Sequence, residues 1–322
     1  MDKSKMLLVA LGQGGGNILD GILSKDKNYN SLFINSSILD ISPLKNATIN
    51  KNVYIYPGSG GSGRDRMKGR NLIEENRNSI SETLIKYPQS EVIVILTSMA
   101  GGTGSGSLKT FIEITNKTFP NAIINLVAIM PSLSEDELSF KNTLECWNDI
   151  NEVIDLINDI KFIDNNKRET YNEVNSEAAS LLNLSFNIMG THRDGSIDIN
   201  DSLRINSAIG SSVILKLHDG MKDGKAALDL AIENSIFAQN NIYECDYLGI
   251  NIKENSYVVK DLTKSIEVFN STYVTYNNDF NIIILSGCEM PVEQIELIRI
   301  AYDERVNKRA SRNKKRGFIV KI

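Results

Sequence analysis

Three short stretches of this chain concentrate glycine directly after apolar runs, and glycine in that position has a specific use. Without side chains in the way, consecutive backbone N–H groups can close around an anion at the mouth of a helix. The first stretch is Gly12-Gln13-Gly14-Gly15-Gly16-Asn17, which serves either as such a phosphate cradle or as a tight strand-to-helix turn. It is not a dinucleotide fingerprint: GxGxxG needs glycine where Asn17 stands, and Ile34-Asn35-Ser36-Ser37 carries no acid for a ribose hydroxyl. The second, Pro57-Gly58-Ser59-Gly60-Gly61-Ser62-Gly63, runs into Arg64-Asp65-Arg66 and either wraps a terminal phosphate or is simply a flexible loop. The third settles the class of ligand. Met99-Ala100-Gly101-Gly102-Thr103-Gly104-Ser105-Gly106-Ser107 offers consecutive backbone donors together with the hydroxyls of Thr103, Ser105 and Ser107, a set suited to a di- or triphosphate. It is not a Walker A loop, because Ser107 stands where the lysine belongs and Lys109 comes two residues late.

The elements that must hold these stretches are readable from the period of the apolar residues. Residues 6–11, 31–34, 53–56, 92–97, 123–130 and 160–163 are predicted strands, and 17–23, 64–86, 106–118 and 135–157 predicted helices. This βαβα alternation predicts a Rossmann-like parallel sheet in an α/β fold, with ligands bound at the carboxyl ends of its strands. All three glycine stretches then share one rim. A long helix is predicted over 170–189, with Gly190 as its C′ residue and a polar turn over 191–196. Helices near 202–210 and 225–237, strands near 247–253 and 281–286 and a late helix over 292–308 follow as a smaller α/β domain with its own core. The predicted divisions are a nucleotide-binding domain over 1–167, a central core helix over 168–190, a second domain over 191–305 and a basic tail over 306–322.

A chain of 322 residues is long for one hydrophobic core, which agrees with two domains. Its 41% hydrophobic and 23% charged content is ordinary for a soluble globular protein. The formal charge of −5 gives no overall attraction to nucleic acid, yet Arg305, Lys308, Arg309, Arg312, Lys314, Lys315 and Arg316 cluster near the end. Cys146, Cys245 and Cys288 are odd in number, far apart and without CxxC spacing, which argues against a disulfide framework or zinc site and fits a reducing cytoplasm. The apolar run at 6–11 is too short for a signal-peptide core, and no later stretch reaches about 18 uninterrupted apolar residues. The expectation is a soluble cytoplasmic protein with no membrane partner. His192 and His218 lack the neighbours of a triad or a zinc site and read as surface residues, and Cys146-Trp147 reads as helix packing.

At the third glycine stretch the sequence resembles the tubulin superfamily, whose signature GGTGSGS stands here as Gly101-Gly102-Thr103-Gly104-Ser105-Gly106-Ser107. The form with serines looks most like the TubZ branch, carried by plasmids and phages. The other two glycine stretches, the long helix and the Ala-rich segment 225–237 follow in the family's order, with the first half the more specific. The resemblance implies the tubulin/FtsZ fold, GTP or GDP as ligand with Mg2+, and GTP hydrolysis. It implies nucleotide contacts from Gly12, Gln13, Gly14, Gly15, Gly16 and Asn17, from Asn35, Gly60 and Gly61, and from Gly101, Gly102, Thr103, Gly104, Ser105 and Gly106. For guanine it implies Asn165, in Ile163-Asp164-Asn165-Asn166-Lys167, and the pair Tyr171 and Asn175. Residues at i and i+4 share a helix face, so Tyr171 can stack on a purine while Asn175 bonds its edge; otherwise Tyr171 is a half-buried core aromatic. Glu135 takes the place of a ribose-side carboxylate, while the arginine common four residues further on is Ser139 here. Division-type relatives usually carry an aspartate where Asn35-Ser36-Ser37 stands. Magnesium is therefore expected to be held mainly through phosphates and water, with no protein ligand named.

With no evident base in the pocket, the resemblance implies that hydrolysis is completed in trans within a head-to-tail filament, when a loop after the central helix caps the next subunit's nucleotide. The family pattern Asn-x-Asp-x-x-Asp/Glu is Ser196-Ile197-Asp198-Ile199-Asn200-Asp201 here, with Ser196 replacing the asparagine, so Asp198 and Asp201 are the implied catalytic pair. The same two residues also fit an N-cap with a first-turn acid. The basic end is either a solvated tail or, by resemblance, the docking segment for a TubR-like DNA-binding adaptor on centromere DNA. The implied role is a cytomotive filament for plasmid or phage DNA partition. An FtsZ-like cell-division ring GTPase is the alternative, and a nucleotide-binding oxidoreductase is disfavoured by the missing GxGxxG and ribose acid.

Overall fold

The computed structural model describes residues 2–219, 221, 223–253, 258–276 and 280–315, the side chains of 314 and 315 excepted. Its first strand reads Met-Leu-Leu-Val-Ala-Leu with every residue buried, as a strand covered by helices on both faces must be. The first half runs β1 (Met6–Leu11), α1 (Gly12–Lys25), β2 (Asn30–Asn35), α2 (Ile38–Ile41), β3 (Val53–Ile55), α3 (Arg66–Glu75), α4 (Arg77–Leu84), β4 (Val92–Ser98), α5 (Thr103–Thr118), β5 (Ile123–Met130), α6 (Glu137–Glu152) and β6 (Asp159–Asp164). Then come α7 (Tyr171–Phe186), a hairpin of β7 (Gly190–His192) and β8 (Gly195–Ile197), α8 (Ile199–Asn206) and β9 (Gly210–Lys216). The second half closes with α9 (Gly224–Glu233), β10 (Glu244–Asn251), α10 (Val259–Thr263), β11 (Glu267–Thr275), β12 (Ile282–Cys288) and α11 (Val292–Lys315).

Among the described residues, ten strands form one sheet in the order β11-β10-β12-β9-β6-β5-β4-β1-β2-β3. β1 to β6 are parallel. Their order reverses between β1 and β4, where Leu11 pairs with Thr97, and such a reversal opens a crevice at the carboxyl ends. β9 extends the sheet in parallel from β6, though only through Asp159↔Gly210 and Ile160↔Ser211. Beyond that short joint the segment after α9 takes over, with Asp164 N–H donating to Ile236 O at 2.8 Å and Ala238 N–H to Phe162 O at 2.8 Å. β12 is antiparallel to both β9 and β10, and β11 runs parallel to β10 at the edge.

Two apolar layers cover this sheet. One joins Ile18 and Ile22 of α1 to Ala178 and Leu182 of α7 and continues to Ile205 of α8, Leu228 of α9 and Leu248 of β10. The other holds Ile73 of α3, Phe111 of α5, Phe140 and Trp147 of α6 and Ile298 of α11. The first layer is unbroken from β1 to β12, so the second half shares the core of the first where a separate one was expected.

Several elements depart from the sequence reading. α1 starts at Gly12 and α5 at Thr103, so the glycine stretches form the opening turns of helices. The predicted helix 64–86 breaks at Asn76, with φ −110° and ψ 15°, into α3 and α4. Gly190 is not a C′ residue: α7 is capped at Asn187, and Gly190 opens the hairpin. β9 was unexpected: the helix predicted near 202–210 is α8 and ends at Asn206, and the strand that follows opens on the polar but buried Ser211 and Ser212, while β11 lacks a clean alternation at its half-exposed edge. α11 continues to Lys315, so 306–315 of the predicted tail is helical, and 316–322 lie outside the described residues.

The close approach of α1 to the sheet is testable. A Cβ on Gly15 would stand 2.0 Å from the Leu96 carbonyl oxygen, so the helix must shift to admit one. Gly15→Ala is expected to destabilise the nucleotide-free protein by roughly 1–3 kcal/mol, the range for overpacking. Urea unfolding measures this, and an unchanged midpoint would place α1 farther from β4.

Candidate nucleotide site

The crevice at the β1/β4 reversal is a cavity of about 610 Å³, well within the size of small-molecule sites. Its floor is where α1 and α5 begin. Gly12 has φ +72°, and a Cβ there would meet Gly104 N at 3.0 Å. Two helix N-termini are thus brought to one point, where their unpaired N–H groups and dipoles favour an anion. Gly12, Gln13, Gly14 and Asn17 line the floor from α1, and Gly101, Gly102, Thr103 and Gly104 from the turn into α5. The Thr103 hydroxyl lies 2.6 Å from Ser36 Oγ and donates to Ser62 Oγ at 3.0 Å, which ties three loops together.

Other residues of the same stretches do not reach the cavity; they build it. Gly15 packs on Leu96, and a Cβ on Gly16 would lie 3.2 Å from Leu44 Cδ1. Ser105 is buried, its Oγ accepting from Arg66 Nε at 3.1 Å and donating to the Gly101 carbonyl. Gly106 lets α3 approach, since a Cβ there would be 2.2 Å from Arg66 O. Asn35 is fully buried, and its Oδ1 accepts the backbone N–H groups of Ser36 at 2.7 Å and Ser37 at 3.3 Å, which shapes the turn after β2. Gly61 lines the cavity and Gly60 does not.

The opposite wall belongs to α7. Thr170 caps this helix in a capping box with Glu173, so Tyr171 and Asn175 leave its first turns on one face, and both line the cavity. Asn165 lines it too, because its neighbour Asn166 does the structural work: Asp164 Oδ1 accepts Asn166 N–H at 2.9 Å, and Asn166 Oδ1 accepts Leu133 N–H at 2.8 Å. Tyr171 Oη donates to Glu135 Oε1 at 3.0 Å. Burial, and then the charge of Glu135, push this phenol up to about 12, so it remains a donor at neutral pH. With 51% of its surface exposed, Tyr171 is an open ring at the rim and not a core aromatic.

The sequence reading missed Ser37, Asp40, Ser62, Arg64, Asp136 and Ser139 among the lining residues. Arg64 makes a two-pronged ion pair with Asp136, at 2.7 and 2.9 Å, and donates to Ser139 Oγ. A guanidinium therefore stands at Ser139 after all, delivered by the second glycine stretch. Burial pushes the Asp40 carboxyl above its ordinary range. Behind the floor lies Arg66, 6% exposed, which donates to Ser105 O at 3.1 Å, to Glu145 at 3.0 Å and to Asp149. Asp149 also accepts from Arg70 at 2.7 Å.

Asp198 and Asp201 are not brought to this cavity. They lie past the far end of α7, whose 16 residues span about 24 Å. Asp198 caps α8 by accepting Asp201 N–H at 2.9 Å, and Asp201 accepts Asp198 N–H at 3.2 Å, a complete capping box. His192 packs its ring against Tyr276 at 5.1 Å on the hairpin. Among the described residues no group of three or more His, Cys, Asp or Glu is arranged to hold a metal ion, and no helix is long and apolar enough to cross a membrane.

A strand order reversed between β1 and β4, two glycine-built helix starts and an aromatic-amide wall on a central helix define a nucleotide-binding protein of tubulin-like architecture. The Tubulin/FtsZ family, GTPase domain, matches residues 5–170, and the chain belongs to that family. Within it, the chain is 31% identical over 313 residues to the tubulin-like protein TubZ of Clostridium botulinum C phage, covering 95% of this chain and 85% of the relative. Among solved structures, the tail-truncated TubZ of Clostridium botulinum phage c-st agrees with a TM-score of 0.86 at 30% identity, over 95% of this chain and 99% of that one. A GTPγS-form protofilament of Bacillus thuringiensis serovar israelensis TubZ shares the fold, with a TM-score of 0.79 at 17% identity over 97% and 94% of the two chains.

The Arg66 network makes a stability prediction. Arg66→Ala removes the buried cation that links Ser105 to Asp149, leaves Asp149 to the partly exposed Arg70 alone, and is expected to cost about 3 kcal/mol, the lower end for breaking a buried pair. Arg70→Ala, at a side chain 35% exposed, is expected to cost no more than about 1 kcal/mol. Equal losses in chemical denaturation would mean that the buried network does not brace the α5 turn.

Proposed function

We propose that this chain binds GTP and GDP with Mg2+, hydrolyses GTP and polymerises head-to-tail into cytoplasmic filaments that partition plasmid or phage DNA. The observation that carries this reading is the convergence of the Gly12–Gly104 floor and the Tyr171–Asn175 wall on one cavity, in a chain of the Tubulin/FtsZ family. The floor takes the phosphates and Tyr171 stacks on the purine. Asn175 and Asn165 meet the guanine edge, since a side-chain amide both donates and accepts. Glu135, fixed by Tyr171, faces the ribose. Mg2+ supplies charge neutralisation to the phosphates. Asp40 and Gln13 offer it hard oxygen donors beside phosphate and water, and the burial that pushes the Asp40 carboxyl up is what a cation there would relieve.

The cavity's carboxylates have other duties, Glu135 with Tyr171, Asp136 as the cap of α6 and Asp40 toward the cation, so the group that orients water comes from another subunit. Asp198 and Asp201 suit that role: they sit beyond the opposite end of α7, and the capping box holds their direction. The protofilament form of the Bacillus thuringiensis relative supports self-association. The cell-division ring alternative is less well supported, because the similarity to the phage TubZ extends over 95% of this chain. α11 lies along α6, with Arg305 donating to Ser134 O at 3.2 Å and Arg309 paired with Glu137 at 3.0 Å, so the cations after Arg309 form the segment offered to a TubR-like DNA-binding adaptor.

Asn175→Ala is expected to weaken GTP binding by roughly 1–3 kcal/mol, the cost of an unsatisfied polar group, and unchanged affinity in titration would refute the base assignment. Asp198→Asn and Asp201→Asn are expected to bind GTP and pellet normally yet turn it over slowly, leaving long-lived filaments. Turnover by the unmutated chain is expected to rise more steeply than linearly with protein concentration. Strict proportionality, down to concentrations where nothing pellets, would mean that each subunit carries its own complete site, and absence of GTP-dependent pelleting would sink the filament reading. Deleting 310–322 is expected to abolish adaptor binding while turnover survives; retained binding would rule out the tail.

A further inference from the structure

Arg64 is the one cation among the described residues lining the cavity, which it shares with the carboxylates Asp40, Glu135 and Asp136. Its backbone is unusual. With φ 65° it occupies the left-handed region, which disfavours side chains other than those of glycine, asparagine and aspartate. The conformation is held from both sides: buried Asn142 donates through Nδ2 to Arg64 O and to Ala100 O, each at 3.0 Å, and a Cβ on Gly102 would lie 2.5 Å from the Arg64 carbonyl carbon. The main chain of Arg64 is thus locked to the phosphate floor at 100–102. Its side chain, 44% exposed, projects across the mouth to Asp136, itself 57% exposed.

An ion pair so open to solvent returns little stability, less than such a backbone costs, and the α6 cap that Asp136 provides to Ser139 N–H at 2.9 Å does not need it. The strained backbone is therefore not explained by the pair. The guanidinium fork fits a phosphate as well as a carboxylate, and a phosphate chain carries more charge than one aspartate. The geometry points to Arg64 as a phosphate-binding residue that exchanges Asp136 for the phosphate chain of the bound nucleotide, with Asp136 as its competing resting partner. This rests on the nucleotide reading above and adds to it a side chain that senses phosphate, with an acid that tunes the affinity downward.

The test is titration calorimetry with GDP and with GTPγS, in Mg2+ and below the concentration at which the protein pellets, on the full chain and on Arg64→Asn, Asp136→Asn and the double variant. Asparagine tolerates the left-handed backbone at 64 and keeps the cap at 136, so both variants preserve their local structure. Arg64→Asn is expected to weaken both nucleotides about tenfold or more, as loss of a charge-assisted pair does, while binding of guanosine, which has no phosphate, is unchanged. Asp136→Asn is expected to tighten both nucleotides, and to have no effect once Arg64 is replaced. If the pair merely braces the cavity, both single variants weaken binding; that outcome, or unchanged affinity in Arg64→Asn, overturns the proposal. Failure of the unmutated chain to bind either nucleotide would overturn the underlying reading itself, which keeps the two failures distinct.

Discussion

Backbone against backbone is the constraint on which this molecule turns. Where β1 and β4 stop, α1 and α5 start, and the two helices converge so closely that no side chain fits between them. A methyl on Gly104 would stand 2.5 Å from the Leu11 carbonyl oxygen, and one on Gly15 2.0 Å from that of Leu96. The density of glycine there is a requirement of rigid contact and not of mobility, and it leaves two sets of helix N–H groups facing the same point. The second stretch uses the same residue differently. A Cβ on Gly58, Gly60 or Gly63 would meet nothing, but Gly58, Gly61 and Gly63 all have positive φ, so there glycine bends the chain.

What was legible in the sequence was what local geometry demands. Tyr171 and Asn175 are set by helix phase, and the structure adds the Thr170–Glu173 capping box that starts the helix beside them. The strands of the first half were legible because apolar residues form the middle of each, Lys161 of β6 excepted. The supporting roles were not. Ser105, Gly106 and Asn35 look like ligand contacts in a row of small polar residues, and only the position of Arg66 and the turn after β2 turn them inward. Arg64 and Asp136 lie 72 residues apart, so neither hints at the other until α3 and α6 are packed on α5. β9 and β11 escaped for a related reason: their partners, not their own patterns, make them strands.

Much of the site is held from behind by polar groups. Arg66, Asp149 and Arg70 connect α3 to α6, and Asn142 connects α6 to the turn at 100–101, so the cavity floor is pinned by a network that avoids the cavity itself. α11 lies against the outer side of the same region through Arg305 and Arg309. The segment 132–139 therefore has two faces, one toward the cavity through Glu135 and Asp136, and one toward the chain's last helix.

The sheet is continuous but unevenly stitched. β5 and β6 are joined by six residue pairs, β6 and β9 by two. Along the sheet, this seam is the joint with the fewest paired residues, and the segment after α9 continues the β6 edge beyond it. Yet Ser212 of β9 donates to Asp159 of β6 across it, and Asp159 is itself paired with Lys161 within β6; all three are buried, so opening the seam would strip that ion pair of a hydrogen-bond donor where water is absent. The seam is thus a short joint closed by a buried polar latch between Ser212 and Asp159.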